Sequence, residues 1–354
     1  MPALSLVHWY TQHPNKPHPP PLDKITHISL IGNGNVSLDV ARMLLTNVDV
    51  LSKYDVPHNV LDILAASAVK HVSIIGRRGP LEAAFTMKEL REMINLPEAS
   101  MIPLPRSLIA PPPSELTRQQ TRVLQLLQKG SKNAPGSTTK TWSLDFFRSP
   151  IGLVPPTPTR PAQLSLSHTA LDPETQRAVP TGETSTLSTD FVVTSLGFHG
   201  EPTVNFYDPG LRHLRTVSGR IITSTGATLR NVYASGWAST GAKGVLALTM
   251  MDAYEVVNTI IEDWKAAATG DSNEIKALVD ADHQVHDLPP LNLDPVLDEI
   301  PKEVREGRKE GLVSSYEDWR RINQEEMTRG EMMGKERERM GWEEARQFMG
   351  RGDI

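Results

Sequence analysis

The chain has 354 residues, enough for about two domains of ordinary size. Its 37 Lys and Arg residues against 42 Asp and Glu residues give a net charge of −5, so no overall positive field draws it to nucleic acid or to an anionic membrane. It contains no cysteine, which excludes disulfides, a Cys-x-x-Cys redox pair and a thiolate-bound zinc ion or iron–sulfur cluster on this chain.

The first half of the chain alternates between strand and helix signals. After a short N-terminal helix and a proline-rich connector, the pattern predicts a strand at His27–Ile31, a glycine turn and a helix at 36–45. A helix at 60–67, a strand at 69–75 and a helix at Met87–Ile94 follow. This alternation indicates an α/β fold with a parallel sheet, built as a Rossmann-like dinucleotide-binding domain.

The remainder is less regular. Residues 103–163 are rich in proline, serine and threonine around a helix near 115–129, and we interpret them as a loop-rich insertion. Short alternating pieces at 150–189 predict a β-hairpin excursion before a strand at 191–195, which ends a domain spanning 1–196. Beyond it lie a strand at 232–235, a long helix at 244–264, a linker at 269–301 and a charged helical tail.

Gly32, Gly34 and Ser37 occupy the Gly-x-Gly-x-x-Gly/Ala spacing between the first strand and its helix. The first glycine permits a tight turn, the second lets a pyrophosphate approach the backbone, and a small third residue lets the helix lie close to the strand. Ser37 is a mild departure from the usual Gly or Ala. A turn that binds nothing is the alternative, but the strand and helix on its two sides favour dinucleotide binding.

The next strand ends in Arg77-Arg78, where an NAD-binding fold would carry an acidic residue for the ribose 2′-hydroxyl. Two guanidinium groups suit a 2′-phosphate, so the sequence predicts NADP, with a preference of roughly a hundredfold or more. The alternative is a solvated basic pair in a loop. Glu89, on the following helix, either orients these arginines, or bonds the adenosine ribose, or is an ordinary solvated helix residue.

Three runs carry a resemblance to a known family, namely IGNGNVSLDVARMLL, VSIIGRRGPLEAAFTMKELREMINLP and YASGWASTGAKGVLALTMMDAY. They resemble the mitochondrial NADPH:adrenodoxin (ferredoxin) oxidoreductases, as does the tail SSYEDWRRINQEEMTRGEMMGKERER. The resemblance extends over almost the whole chain except 103–163 and the linker near 271–304. It implies a flavoprotein in which NADPH delivers a hydride to FAD, which passes single electrons to a [2Fe–2S] ferredoxin.

The resemblance also implies site residues. It places NADP against Gly32, Gly34, Asn35 and Val36, with Arg77, Arg78 and Glu89 at the 2′-phosphate end and Gly244 nearby. It places Trp237 where flavin and nicotinamide meet, although a buried core tryptophan is the alternative.

The same resemblance implies that Gly244, Val245 and Leu246 present backbone to the isoalloxazine ring of FAD. The N–H groups and positive dipole of a helix that opens there favour the negative charge on a reduced flavin. Hydride transfer needs alignment rather than a side-chain acid or base, so we assign no catalytic residue and no metal ligand.

A ferredoxin is an acidic partner, which the family docks on a basic surface. Arg118, Arg122 and Lys129 fall within about 40° of one another on one predicted helix face, so this stripe is a candidate docking site. A solvated face is the alternative. The resemblance further implies a mitochondrial location, in the matrix or peripherally on the inner membrane, since no stretch approaches the roughly 18 apolar residues of a membrane span.

The family begins with its own glycine-fingerprint unit for the ADP half of FAD, and about thirty residues precede Gly32 here without such a fingerprint. We therefore interpret 197–354 as the C-terminal remainder of a second, FAD-binding Rossmann-like domain of the pyridine nucleotide-disulfide oxidoreductase type. The sequence predicts exposed apolar surface there and weak or absent FAD binding. The alternatives are a catalytically silent NADP-binding or interaction module and a glutamate-synthase-like flavoprotein reductase.

Overall fold

The computed structural model describes residues 1–110, 116–157, 161–203, 206–242, 244, 246–269 and 300–350. Clustering of contacts divides the chain into two compact units. The first comprises Met1–Leu196 with Gly307–Ile354, and the second comprises Gly197–Glu306. The sequence places a domain boundary at the same residue, and the assignment of 1–196 and 197–354 as separate domains stays a prediction.

A parallel sheet forms the centre of the first unit. Its five strands are β1 (His27–Ile31), β2 (His71–Gly76), β3 (Ala99–Met101), β4 (Lys140–Phe146) and β8 (Phe191–Thr194). They lie in the order β3-β4-β2-β1-β8, and all four pairings are parallel. Parallel neighbours require long crossover connections, which the intervening helices supply. The predicted α/β, Rossmann-like fold is confirmed.

Helices cover one face of this sheet. They are α1 (Ala3–Tyr10), α2 (Asn35–Leu45), α3 (Val48–Leu51), α4 (His58–Ala65), α5 (Met87–Ile94), α6 (Arg106–Ile109) and α7 (Arg118–Lys129). Because side chains alternate across a strand, Ile28, Leu30, Val72 and Ile74 point to the helical face, where they form one core with Trp142. Burying such side chains contributes roughly 1.5–3 kcal/mol each.

The opposite face of the sheet is mostly polar and is covered by strands. There β5 (Arg148–Val154), β6 (Ala162–Leu171) and β7 (Ala178–Thr189) form an antiparallel sheet in that order. Ile31 and Ile75 pack against Leu164 and Leu166 of β6. The antiparallel sheet therefore packs near the carboxyl ends of β1 and β2.

Hydrogen bonds satisfy the polar groups nearer the amino ends of the same strands. His27 Nε2 lies 2.9 Å from Ser73 Oγ, and His71 Nδ1 lies 2.7 Å from Thr141 Oγ1. Ser143 Oγ lies 3.3 Å from His71 Nε2. A buried polar group is tolerated when it is bonded in this way, so the sheet can carry serines and histidines where apolar residues are usual.

The interpretation of residues 103–163 as a loop-rich insertion is wrong for the segment that contains β4 and β5. β4 lies between β2 and β3 in the central sheet, and its residues Trp142, Leu144 and Phe146 are buried. Its alternate residues are polar, and a Ser/Thr/Gly-rich stretch precedes it. The polar face of the sheet explains why this core strand has the composition of a loop.

The second unit is built from short strands and one long helix. Its elements are β9 (Tyr207–Asp208), β10 (His213–Leu214), β11 (Thr216–Val217), β12 (Arg220–Ile222), β13 (Thr228–Tyr233), α8 (Trp237–Thr240) and α9 (Leu246–Thr269). Arg220 makes a two-pronged ion pair with Asp263 of α9, with Nε–Oδ2 and Nη2–Oδ1 distances of 2.9 and 2.7 Å. This pair fastens α9 to β12.

Helix α9 exposes an apolar stripe. Leu246, Tyr254, Val257, Ile261 and Trp264 are all exposed, from 85% for Leu246 to 43% for Ile261. Their spacing of three, four or eight residues places them on one side of the helix. The sequence predicts exposed apolar surface in this part of the chain. Among the described residues, no helix combines the length and hydropathy needed to cross a membrane.

The C-terminal tail packs on the first unit, although the sequence analysis grouped it with 197–354. After α10 (Lys302–Lys309), it forms α11 (Tyr316–Met332) and α12 (Trp342–Phe348). Lys335 Nζ donates a 2.7 Å hydrogen bond to Val56 O, and Arg339 Nη2 lies 2.7 Å from Asp55 Oδ2. These contacts join segments that are about 280 residues apart, which sequence patterns do not reveal.

Candidate dinucleotide-binding site

The turn between β1 and α2 closes tightly against the end of β8. Gly32 has a φ of +126°, and a Cβ there would lie 2.0 Å from Ser195 O, so both the backbone and the space require glycine. Ser195 N donates to Ile31 O at 2.7 Å. Strand β1 lies between β2 and β8, where the strand order reverses. Such reversals create the crevice in which α/β sheets bind ligands.

Gly34, directly before α2, leaves open space. Its φ of −126° suits any residue, and the nearest atom to an added Cβ would be Ala84 Cβ at 4.0 Å. A ligand can therefore approach the backbone at the helix N-terminus, where free N–H groups favour anions.

Ser37 is fully buried, and its Oγ donates a 2.6 Å hydrogen bond to Gly32 O. This bond gives the departure from Gly or Ala a structural role, because the hydroxyl satisfies the carbonyl of the turn.

The turn is also fastened to the loop that precedes α5. Asn35 Oδ1 accepts a 2.6 Å hydrogen bond from Thr86 N, and Asn33 O accepts one of 2.9 Å from Ala84 N. Asn33 Oδ1 is buried without a hydrogen-bond partner in the described part of the chain. Sequence reasoning did not single out Asn33. It placed Asn35 and Val36 at the NADP site, and both lie in the first turn of α2, half-buried.

Arg77 and Arg78 directly follow β2 and are both exposed. Within the described residues, neither guanidinium takes part in a hydrogen bond or an ion pair, so both can meet an anion. Strands β1 and β2 are parallel neighbours in register from His27–His71 to Ile31–Ile75. Their carboxyl ends share one edge of the sheet, which brings the Gly32–Gly34 turn and the arginine pair to the same edge.

Glu89 is half-buried on α5, and its Oε2 has no hydrogen-bond partner among the described residues. It lies close enough to α2 to influence Asp39. Burial raises the pKa of the Asp39 carboxyl above its ordinary value; Arg42 opposes this shift and the charge of Glu89 adds to it. Glu89 is therefore not freely solvated, and its role toward the arginines or the ribose stays a prediction.

In the second unit, Trp237 begins α8 and is 51% exposed, so the alternative of a buried core tryptophan is wrong. Its ring stacks on Phe198, with centroids 5.9 Å apart. Gly244 and Leu246 are exposed at the start of α9, while Val245 lies outside the described residues. The structure thus leaves Trp237, Gly244 and Leu246 accessible to a flat ring, and their contact with flavin stays a prediction.

The basic stripe lies on the solvent side of α7. Thr117 and Gln120 form a capping box that begins the helix, and Val123, Leu124 and Leu127 bury its other side. Arg118, Arg122 and Lys129 are all exposed, and no ion pair involves them in the described parts of the chain. The structure therefore presents the three cations together, as the helical spacing predicted.

Comparisons with known proteins relate this arrangement to oxidoreductases. No family model matches the chain. The mitochondrial NADPH:adrenodoxin oxidoreductases of Bos taurus and Homo sapiens are 35% and 34% identical over 360 residues, covering 96% of this chain and 66% of each relative. The chain therefore spans slightly less than two thirds of these relatives. The solved structure of Mycobacterium tuberculosis FprA in complex with NADPH is 28% identical with a TM-score of 0.75, covering 96% of this chain and 71% of that chain.

Proposed function

Because the chain belongs to the NADPH:adrenodoxin oxidoreductase family, we propose that it binds NADPH and acts in electron transfer to a [2Fe–2S] ferredoxin through FAD. One observation carries the proposal. The open backbone at Gly34 lies at the same edge of the parallel sheet as Arg77 and Arg78, whose guanidinium groups have no partner among the described residues. That combination suits a dinucleotide with an additional phosphate.

The residues present fit NADP. The space at Gly34 admits a pyrophosphate, and the N-terminus of α2 offers N–H groups to it. Arg77 and Arg78 would hold the 2′-phosphate, and Glu89 would orient them or bond the adenosine ribose. When bound, NADPH supplies a hydride to FAD. The contribution of this chain is then to bind and orient, since alignment of the reacting groups supplies much of the catalysis in such reactions.

The FAD side of the proposal is supported by Trp237, Gly244 and Leu246, which are accessible at the start of α8 and α9. A helix N-terminus stabilises negative charge, which is what a reduced flavin ring carries. The partner side is supported by the exposed cations of α7, since a ferredoxin is acidic. The relatives from Bos taurus and Homo sapiens are described as mitochondrial, which supports the same location here.

Calorimetric titration tests the dinucleotide assignment. We expect the wild-type chain to bind NADP⁺ about a hundredfold more tightly than NAD⁺, and the double variant Arg77→Ala, Arg78→Ala to bind both with similar affinity. Arg177→Ala is the matched control, because Arg177 is also exposed but lies at the turn between β6 and β7. Equal affinities of the wild type for the two nucleotides would overturn the proposal.

Electron transfer is tested by NADPH-driven cytochrome c reduction with an added [2Fe–2S] ferredoxin, with and without FAD in the buffer. Arg118→Glu with Arg122→Glu should raise the KM for ferredoxin while leaving the KM for NADPH unchanged, and the difference should shrink at high salt. Tight NADP⁺ binding without ferredoxin-dependent reduction under either condition would instead indicate a catalytically silent NADP-binding module.

A further inference from the structure

The loop that carries Arg77 and Arg78 is held by residues that do not belong to the β1–α2 turn. Thr169 of β6 donates a 2.7 Å hydrogen bond from Oγ1 to Arg77 O, and Phe147 N donates one of 3.3 Å to Arg78 O. Thr169 is buried, whereas both arginine side chains are exposed. The backbone of the loop is therefore fixed while its guanidinium groups remain available.

Phe147 joins β4 to β5 and has a φ of +54°, which is unfavourable for a bulky residue. Its carbonyl accepts hydrogen bonds from Thr169 N at 3.1 Å and from Arg148 Nη1 at 2.9 Å. Conformations of this kind persist only where the surrounding structure enforces them, and they cluster at ligand sites.

Gly79 completes the contact between this corner and the arginine loop. A Cβ at Gly79 would lie 2.6 Å from Phe147 Cζ, so the glycine allows the aromatic ring to pack directly on the loop. Two hydrogen bonds and one ring contact thus join the loop after β2 to the junction of the two sheets.

We propose that Thr169 and Phe147 are positioning residues that set selectivity for the 2′-phosphate by fixing the backbone of Arg77 and Arg78. This inference rests on the proposed function, in which the arginine pair binds that phosphate. A guanidinium binds phosphate through directional donors, so the affinity depends on where its backbone holds it. A loop without these anchors must become ordered when the nucleotide binds, and this ordering lowers affinity for the phosphorylated nucleotide alone.

Thr169→Val is the direct test, because valine keeps the shape of threonine and removes the donor to Arg77 O. We expect the dissociation constant for NADP⁺ to rise about 3- to 10-fold and that for NAD⁺ to change by less than about twofold. Thr169→Ser keeps the hydroxyl and should restore wild-type selectivity. Thr181→Val is the control for loss of a threonine hydroxyl, since Thr181 is exposed and its Oγ1 also donates to a backbone carbonyl, that of His168, at 3.3 Å.

Two further measurements separate a positioning role from a general structural one. In the Arg77→Ala, Arg78→Ala background, Thr169→Val should have no effect on either nucleotide, since the two changes act through one interaction. Gly79→Ala disturbs the same contact through the Phe147 ring and should cause the same selective loss, which provides a second variant if Thr169→Val does not fold.

The outcomes distinguish this inference from the proposed function. If the wild type does not prefer NADP⁺, the proposed function fails and the inference fails with it. If the wild type prefers NADP⁺ and the arginine variants lose that preference, the proposed function stands. Thr169→Val then overturns the inference if it leaves the ratio of the two dissociation constants within about twofold, including the case in which both affinities weaken together.

Discussion

Replacing each of the two glycines of the β1–α2 turn by alanine should affect different properties, stability in one case and ligand binding in the other. At Gly32 an added Cβ would lie 2.0 Å from Ser195 O, on a backbone with a φ of +126°. At Gly34 the nearest atom to an added Cβ would be 4.0 Å away, and the φ of −126° is ordinary. Gly32→Ala should therefore damage the fold, whereas Gly34→Ala should damage the ligand site.

The magnitudes follow from these contacts. For Gly32→Ala, a strained backbone costs about 1–3 kcal/mol and a steric clash about 1–3 kcal/mol, so the free energy of unfolding should fall by roughly 2–6 kcal/mol. Gly34→Ala creates no clash and should change that free energy by less than about 1 kcal/mol. Its methyl group would occupy the backbone surface that the pyrophosphate approaches, so NADP⁺ affinity should fall at least about tenfold.

Urea denaturation followed by tryptophan fluorescence measures the first effect, since Trp142 is fully buried in the first unit. Calorimetric titration with NADP⁺ measures the loss of affinity in Gly34→Ala. It is done without urea, at a temperature where each variant is folded. Gly182→Ala is the control, because Gly182 has a φ of +92° with no atom within 4 Å of an added Cβ and so isolates the backbone cost. The reasoning is refuted if Gly32→Ala is no less stable than Gly182→Ala, or if Gly34→Ala binds NADP⁺ like the wild type.

Two other predictions concern stability. Burial, with a contribution from His27, lowers the pKa of His71 to about 4, so the folded state binds fewer protons than the unfolded state below the ordinary pKa of 6.5. The contribution of His71 to the free energy of unfolding is therefore fully present above pH 6.5. It should decrease by roughly 1–3 kcal/mol as the pH falls to 4. Urea denaturation across this range should show a shallower pH dependence for His71→Gln, and equal slopes would contradict the prediction. Asp263→Asn should destabilise the second unit by about 3–5 kcal/mol in thermal unfolding, because it leaves the buried guanidinium of Arg220 without its counter-charge. Glu325→Gln removes one of the two more exposed carboxylate partners of Arg329, which keeps Glu344, and should cost less than about 1 kcal/mol. Similar losses in the two variants would contradict the prediction.

Local sequence patterns predict the bounds of an element correctly when one strong feature, such as an apolar run or an amphipathic repeat, specifies it. The bounds of β1 and α5 agree with the sequence analysis, because an apolar run before a glycine turn and a strongly amphipathic helix leave little choice. β4 was missed because its polar residues form hydrogen bonds with His71 and its neighbours, on a strand about 70 residues earlier in the chain. The position of the tail depends on contacts with residues 53–58, which no local pattern encodes.

The candidate site also contains residues that local motifs reveal and residues that they do not. The family resemblance carried by the motifs is confirmed. The motif spacing predicts Gly32, Gly34 and the arginine pair as site residues, and their contact with a nucleotide stays a prediction. The hydrogen bond that makes Ser37 suitable could be suspected from its small polar side chain. The hydrogen bond from Thr169 to Arg77 could not be predicted in this way, because these residues are 92 positions apart and meet only when the two sheets pack together.

The tail that binds Asp55 and Val56 has a consequence for synthesis on the ribosome. The first unit includes Gly307 and the residues after it, but these are translated only after the whole of Gly197–Glu306. At about 5–20 residues per second, the delay after Leu196 emerges is roughly 5–20 s. During that interval the nascent sheet can form, but Lys335 and Arg339, which bind Val56 and Asp55, have not yet been synthesised. Chaperones therefore have time to bind this surface.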